Sequence, residues 1–391
     1  MFSTFSLQAA GAGTLAAFVG FASSFAILIQ GFMVAGASRA EAASGLMAVC
    51  VLMGLAAVWV ALRTRMPISI AWSTPGAVLL IASGPLAGGF PTAVGAFVVA
   101  GVLVVLAGMW RPLGRWVASI PAPLANAMLA GVLLNLCLAP VRAVAELPVA
   151  ALVIVGTWAI VGRFRRLLAV PAAVLAAAVV ISLTVEIDPA TLGSLWPQPE
   201  LVAPHVSWSA AVGIGLPLFV VTMASQNIPG IAVLGLYGYR PDPGYLFRLT
   251  GVLSLVATPF GGHAINLAAI TAAICAGEDA HPDPARRYWS AVVGGVVYVL
   301  LGLGAGAAAA FIGAAPPVLI EAVAGLALLG PLGSALYGAV AHPTGREAAL
   351  VTFLVAASGL TILGIGGAFW GLVAGGLMLA LARAGRPAGP N

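Results

Sequence analysis

Long stretches without a single charged residue recur along the whole chain, Leu167 to Leu183 and Ala348 to Leu363 among them. In water such runs need a large interior to cover them. Of the 391 residues 62% are hydrophobic and only 7% charged, whereas about a quarter of a soluble domain is charged. Lipid is the solvent that removes the conflict, and it admits only helices or closed barrels, because it cannot satisfy backbone polar groups. A barrel requires polarity that alternates over roughly ten residues. These runs are unbroken instead, so the expected class is an all-α membrane protein.

The charges that remain exclude other functions. All 16 basic residues are arginines and the net charge is +5, but they sit singly or in small groups between apolar runs and form no basic stripe, so no nucleic-acid partner is expected. Cys50, Cys137 and Cys275 lie far apart inside apolar stretches, a spacing that suits buried small hydrophobes and neither a disulfide nor a metal site. No cofactor is expected. The first residues lack the basic region of a cleavable signal peptide, so the first permanent span is read from about residue 12.

Fourteen transmembrane segments are expected, at about 12–36, 42–62, 67–84, 88–109, 120–138, 146–162, 167–185, 208–236, 243–257, 258–277, 285–313, 316–340, 346–364 and 366–383. The boundary between Ile362 and Ala368 is soft, and twelve or thirteen segments is the alternative. With both termini in the cytoplasm, 14 of the 16 arginines fall inside and only Arg39 and Arg142 outside, a strong positive-inside pattern. Arg111, Arg115 and Arg386 are among the inside residues, and Glu186, Asp188 and Glu200 form an outside acidic loop. The expected location is a bacterial-type inner membrane.

Two segments are interrupted. The third reads Pro67-Ile-Ser-Ile-Ala-Trp-Ser-Thr-Pro-Gly76 before an apolar run. Proline suits the first turn of a helix, so a short strand followed by a half-helix from about Thr74 is expected. The tenth reads Thr258-Pro-Phe-Gly-Gly-His-Ala-Ile-Asn266 before a helical run to Cys275. Thr258-Pro259 echoes Thr74-Pro75, and Ala224-Ser-Gln-Asn227 in segment eight echoes Ala22-Ser-Ser-Phe25 in segment one. The echoes pair segments one and three with eight and ten. An offset of seven spans is odd, so the repeat is 7+7 and inverted. In this map the two half-helix N-termini face each other near the midplane. Each carries free N–H groups and about half a positive charge, which makes an anion site without intramembrane arginine or lysine.

These stretches, with Phe21 to Gln30, resemble the benzoate/proton symporter family (BenE-type) over nearly the whole chain. The family is similar in fold to uracil and xanthine permeases and to anion exchangers. The resemblance implies a core domain, 12–109 with 208–313, packed on a gate domain, 120–185 with 316–383, and a site between segments three and ten. It implies a secondary transporter for benzoate or a similar small aromatic carboxylate, by proton symport and alternating access. Nucleobase permeases of this fold carry carboxylates on segments eight and ten. Here those positions offer Gln226, Asn227 and His263, which fits an anionic substrate. A channel or uniporter for small organic anions, and a nucleobase permease, are the alternatives, and a homodimer is left open. No Ser/His/Asp arrangement, His-Glu-x-x-His run or acid pair points to an enzyme.

Ser73, Thr74 and Gly76 are expected to open the first half-helix, and Gly261, Gly262 and His263 the second, with their N–H and hydroxyl groups on the carboxylate. Simple helix capping is the bland alternative. Gln226 and Asn227 either contact substrate or tie broken backbone together. Asn266 lies one helical turn beyond His263 in this reading and either joins the site or makes a structural hydrogen bond. Phe25, Trp72 and Phe260 flank the breaks and could sandwich an aromatic ring, or simply pack. His263 and Glu321 are the proton-coupling candidates. His205 and His281 belong to loops and His342 to a span end. Gly302, Gly304 and Gly306 suit close helix packing rather than a nucleotide loop.

Overall fold

The computed structural model describes residues 5–110, 112, 121–184, 195–341, 345–363 and 365–384. Arg111, Arg115, Glu186, Asp188, His342 and Arg386 lie outside the described residues. The first half runs α1 (Leu7–Val34), α2 (Arg39–Thr64), β1 (Ile70–Trp72), α3 (Thr74–Ser83), α4 (Phe90–Met109), α5 (Ala122–Cys137), α6 (Ala139–Glu146), α7 (Pro148–Phe164) and α8 (Ala169–Thr184). The second runs α9 (208–236), α10 (Pro243–Ala257), β2 (Ile265–Leu267), α11 (Ala269–Ala276), α12 (Tyr288–Leu303), α13 (Ala305–Ala314), α14 (Pro317–Val340), α15 (Arg346–Ala357) and α16 (Gly367–Ala384). A two-residue hairpin, β3 (Thr361–Ile362) with β4 (Ile365–Gly366), joins α15 to α16.

Most expected segments appear within a few residues of their expected bounds. Seven described helices are long and apolar enough to cross a membrane alone, or eight if the pair α12–α13, bent by 55°, is one span. Segments three and ten fall short because they are broken. The bend at Gly304 was not expected, nor was α6, which carries Arg142 and Glu146 as a separate short helix. Gly302 and Gly306 do sit at close contacts, against Cys50 of α2 and the Leu195 carbonyl.

α9 is helical throughout but contains two π-helical stretches, Ala211–Gly215 and Met223–Asn227. Each ends two residues before a proline, Pro217 or Pro229. A proline ring clashes with the carbonyl four residues back and offers it no N–H. The wider π turn absorbs both defects without breaking the helix.

The inverted repeat is visible in backbone geometry. β1 pairs with β2 antiparallel, with Ile70 opposite Leu267, Ala71 opposite Asn266 and Trp72 opposite Ile265. α2 packs along α12, and the equivalent helices α4 and α10 pack on each other. A glycine pair sits at each crossing. A Cβ on Gly54 would lie 2.5 Å from the Gly295 carbonyl oxygen, and one on Gly295 would lie 2.5 Å from that of Gly54. At the other crossing a Cβ on Gly251 would lie 3.2 Å from the Gly101 carbonyl oxygen. Without a hydrophobic drive between helices in lipid, such close approach is what binds them. The linker between the halves returns across the ends of α10, α4 and α2: Val202 N–H bonds the Pro259 carbonyl, His205 N–H that of Pro91, and Glu200 N–H the Ser44 hydroxyl.

Gly54→Val forces side-chain atoms into the Gly295 backbone and is expected to cost about 1–3 kcal/mol or more. Gly376→Val, where no atom lies within 4 Å of the added Cβ, is expected to be silent. Thermal unfolding in detergent, followed by size exclusion, separates the two.

Candidate functional site

The two broken segments meet through their strands. β1 feeds α3 through Ser73, and β2 feeds α11 through Ala268. Because the strands are antiparallel, the helices leave from opposite ends of the ladder with their N-termini turned toward each other. Ser73 N–H bonds the Ala264 carbonyl at one end, and Ala268 N–H bonds the Ser69 carbonyl at the other. Four residues of strand separate these levels, about 13 Å at roughly 3.4 Å per residue. The starts therefore do not converge on one point. A small anion placed at one start would feel the other only through its field.

The second half-helix begins later than the Thr-Pro echo suggested. α10 runs to Ala257 and Thr258–Phe260 form a 3-10 turn that continues it. Gly261 then stops the helix with φ +81°, and Gly262 N–H bonds the Ala257 carbonyl. Gly261 and Gly262 are thus a helix C-terminus, the reverse of the expected role, and Gly261 is chosen because only glycine takes that φ easily. His263 precedes β2 and does not open a helix. Asn266 lies within β2, so it is not one helical turn beyond His263. The true counterpart of Ser73 is Ala268, which has no capping side chain.

Ser73, Thr222, Asn227, His263 and Asn266 are all 0% exposed, and most of their polar groups bond one another or the backbone of the two breaks. The Ser73 hydroxyl caps Gly76 N–H at 3.2 Å and accepts from the Thr222 hydroxyl at 3.1 Å. His263 Nε2 donates to the Ser73 carbonyl at 2.8 Å, while Phe32 and Phe97 meet the imidazole edge-on at 5.6 and 6.0 Å. Its Nδ1 is buried without a partner among the described residues, so an imidazolium here would be an unpaired charge in an aromatic box. Asn227 Oδ1 accepts from Leu267 N–H at 2.9 Å and its Nδ2 donates to the Met223 sulfur. Asn266, oriented to satisfy both neighbours, accepts from Ser73 N–H at 3.0 Å and donates to the Leu267 carbonyl at 2.9 Å. This group ties non-helical backbone together, which is the structural alternative stated for Asn227 and Asn266.

What remains open is small. Thr74 and Gln226 are partly exposed, and neither side chain has a hydrogen-bond partner among the described residues. The first turn of α11 presents N–H groups with no side-chain cap. Gly76 is buried, and a Cβ there would lie 2.3 Å from the Leu218 side chain. Trp72 donates to the Ser24 hydroxyl at 3.1 Å and meets Phe21 and Tyr298 edge-on; Phe21 stacks on Phe25 at 5.1 Å. Phe260 joins none of these rings, and its carbonyl is bonded by Ser44. Of the three rings expected to flank an aromatic substrate or simply to pack, Phe25 and Trp72 are bridged by Phe21, and Phe260 stands apart from them. Phe21 and Ser24 lie in stretches the sequence had marked, as the head of the Phe21–Gln30 run and part of the Ala22–Phe25 echo, but not as site residues; Thr222 had no signal beyond being polar in an apolar run.

Two cavities flank the broken segments. One of about 290 Å³ runs along the C-terminal half of α3, between Val78, Leu79, Asn135, Arg142, Glu321 and Leu360. The other, about 630 Å³, runs along the C-terminal half of α11 beside Gln8, Leu15, Leu167, Tyr237 and Asp279. The first also touches the start of α9 and the second the start of α1, as an inverted repeat requires. No cluster of three or more metal-binding side chains occurs among the described residues.

Comparison with known proteins agrees with this geometry. A model of the BenE family, described as benzoate membrane transport protein, matches residues 3–381. The chain is 41% identical to inner membrane protein YdcO of Escherichia coli, across 94% of this chain and 93% of that protein. It is 31% identical to the benzoate membrane transport protein of Acinetobacter baylyi, across 95% and 94%. Among solved structures it is similar to the transmembrane domain of the cyanobacterium bicarbonate transporter BicA, with TM-score 0.60, 15% identity and coverage of 96% and 98%. It is also similar to murine Slc26a9, an anion transporter in the inward-facing state, with TM-score 0.60, 12% identity and coverage of 95% and 68%.

If Asn227 is backbone scaffolding and Gln226 is not, their substitutions separate on stability. Asn227→Leu strands the Leu267 N–H and is expected to lose about 1–3 kcal/mol. Gln226→Leu is expected to leave the thermal midpoint in detergent nearly unchanged.

Proposed function

The chain belongs to the BenE family of benzoate membrane transport proteins, a family of membrane transporters and not of enzymes, and from that premise we propose that it carries benzoate or a similar small aromatic carboxylate together with a proton. The observation that supports this reading is the paired break. Two half-helices aim their positive ends at one strand ladder, and no acidic side chain lies in segments three, eight or ten. An anion is the substrate such a place favours. The carboxylate takes its hydrogen bonds from the uncapped start of α11, from Thr74 or from Gln226. The aromatic ring lies against apolar side chains, with Phe21, Phe25 and Trp72 near the first break.

Transport proceeds by alternating access. The core, 12–109 with 208–313, moves against the gate, 120–185 with 316–383. In support, packing is dense within each group and sparse between them, and α3 meets α5 and α1 meets α14 along a thin seam. The two cavities run along the C-terminal halves of the two half-helices, beyond opposite ends of the ladder, and are the two routes in this reading. A proton taken with each anion keeps the cycle electroneutral. His263 serves the frame rather than the proton, given its committed Nε2 and sealed surroundings. The arginine distribution supports a bacterial inner membrane with both termini cytoplasmic.

Purified protein in proteoliposomes tests the reading. An inward pH gradient is expected to drive radiolabelled benzoate well above equilibrium, with competition by other aromatic acids and none by uracil. Saturation separates a carrier from a channel. Thr74→Val and Gln226→Leu are tested singly, and the one that contacts the carboxylate is expected to weaken benzoate binding about tenfold to a hundredfold, in line with one lost hydrogen bond to a charged group of roughly 1.5–3 kcal/mol. Benzoate accumulation that ignores the pH gradient removes the symport claim.

A further inference from the structure

We propose that Glu321 carries the transported proton and that Gln30 reads it, so that the pair fastens α1 to α14 only when the carboxyl group is protonated. The proposal rests on the symport reading above and names the group through which it acts. Gln30 projects from α1 and Glu321 from the first turns of α14, so the pair bridges the seam between the two moving groups. Gln30 Nε2 donates to Glu321 Oε1 at 3.0 Å. The other end of the same amide, Gln30 Oε1, is buried and has no partner among the described residues.

That orphan oxygen decides the protonation state the contact prefers. A carboxylate only accepts, so it satisfies the amide N–H and leaves the amide oxygen stranded. A carboxylic acid satisfies both: its O–H donates to Gln30 Oε1 while its carbonyl oxygen accepts from Nε2. Gain of one proton at Glu321 therefore adds one hydrogen bond across the seam, and loss of that proton removes it and leaves a buried acceptor unmade. Should the amide be turned over, its oxygen would face the carboxyl group, which again demands the acid.

Glu321 also lines the 290 Å³ cavity, which gives protons a route to it. The surroundings are sparse in other charges. α1 and α8 offer no titratable side chain, and α5 brings only Cys137. α6 brings Arg142, which lines the same cavity, and Glu146. α7 carries Arg163. Arg346 and Glu347 begin α15 at the opposite end of α14, where Arg346 bonds the Val340 carbonyl. Arg39 of α2 bonds the Gly313 carbonyl near the start of α14. No ion pair joins Arg142 to Glu321 among the described residues. Arg142 is placed to draw an anionic substrate toward the cavity whose wall holds the proton, so the two cargoes meet at one entrance.

The cycle follows. With Glu321 protonated, α1 is fastened to α14 until the substrate-loaded core moves and breaks the contact. Release of the proton on the other side of the membrane frees the seam for the return movement. A neutral amide in place of the acid imitates the protonated state permanently, and it can still bind substrate but cannot be driven.

The test uses the full chain in proteoliposomes with radiolabelled benzoate and a pH-sensitive dye. For Glu321→Gln, benzoate binding at equilibrium is expected to stay within threefold of the parent protein. Accumulation driven by a pH gradient falls at least tenfold, and the dye records no proton entering with substrate. Gln30→Met keeps the side-chain length without the amide. It is expected to move the pH midpoint of exchange by about one unit while the maximal rate stays within threefold, a change that a merely structural contact would not produce. Proton-coupled accumulation by Glu321→Gln equal to that of the parent protein overturns the assignment and leaves symport standing. An unmoved pH profile in Gln30→Met overturns the role of the amide even where Glu321→Gln folds poorly. A parent protein that ignores the gradient defeats the symport reading itself, and this inference with it.

Discussion

Backbone that leaves the helix inside a membrane has nowhere to send its N–H and C=O groups, and each one left unpaired there costs several kcal/mol. The chain breaks the helix twice near the centre of its core, so the rest of the architecture is organised around satisfying those two breaks. The first resource is the pairing of β1 with β2, by which each break answers the other. The second is a ring of side chains that reach the groups the ladder leaves over. Asn227 takes Leu267 N–H, Ser254 takes Ile265 N–H, His263 takes the Ser73 carbonyl, and Ser69 with Thr271 closes the α11 end. These residues are conspicuous in the sequence because they are polar in an apolar setting. Most of them are committed to backbone and have nothing left for a ligand.

That commitment explains what the sequence did and did not disclose. Class, approximate spans and inversion were legible because they depend on solvent, chain length and charge placement, which act on whole segments. The position of β2 was not. Thr258-Pro259 looks like Thr74-Pro75, but the same dipeptide can continue a helix as a 3-10 turn or open one as its first turn. Only the glycine that follows, forced to a positive φ, tells the two apart, and it does so through the packing of Phe90 and the Glu41 carbonyl around it. The real partner of Ser73 is Ala268, a residue with no capping signature. Likewise Asn227 and Gln226 are indistinguishable as neighbours in a string, whereas one π turn buries the first and leaves the second partly open. Gln30 gave no chemical hint until Glu321, far along the chain, arrived opposite it.

In the proposed reading, two tasks that are combined in related folds with acids beside the substrate stand apart. An anion seat cannot tolerate a carboxylate close by, since like charges in a low dielectric repel strongly. Here the helix dipoles and neutral amides stand in the core, while the acid stands across the seam in the facing group of helices, beside a cavity that also holds Arg142. On that proposal, a contact that moves between substrate and proton would let each influence the other without sharing a ligand.

The strand pairing has a further consequence for how the molecule is made. The two breaks lie far apart in sequence, 190 residues between Ser73 and His263, and ribosomes add about 5–20 residues per second. The nascent first strand therefore waits on the order of 10–40 seconds for its mate to be synthesised. During that interval its bare edge must shelter in the insertion machinery, in water at the membrane surface, or against a helix that later gives way. Biogenesis, and not only transport, is thus governed by the same short ladder, and the chain's first half is an obligate intermediate until the second has been threaded through the bilayer.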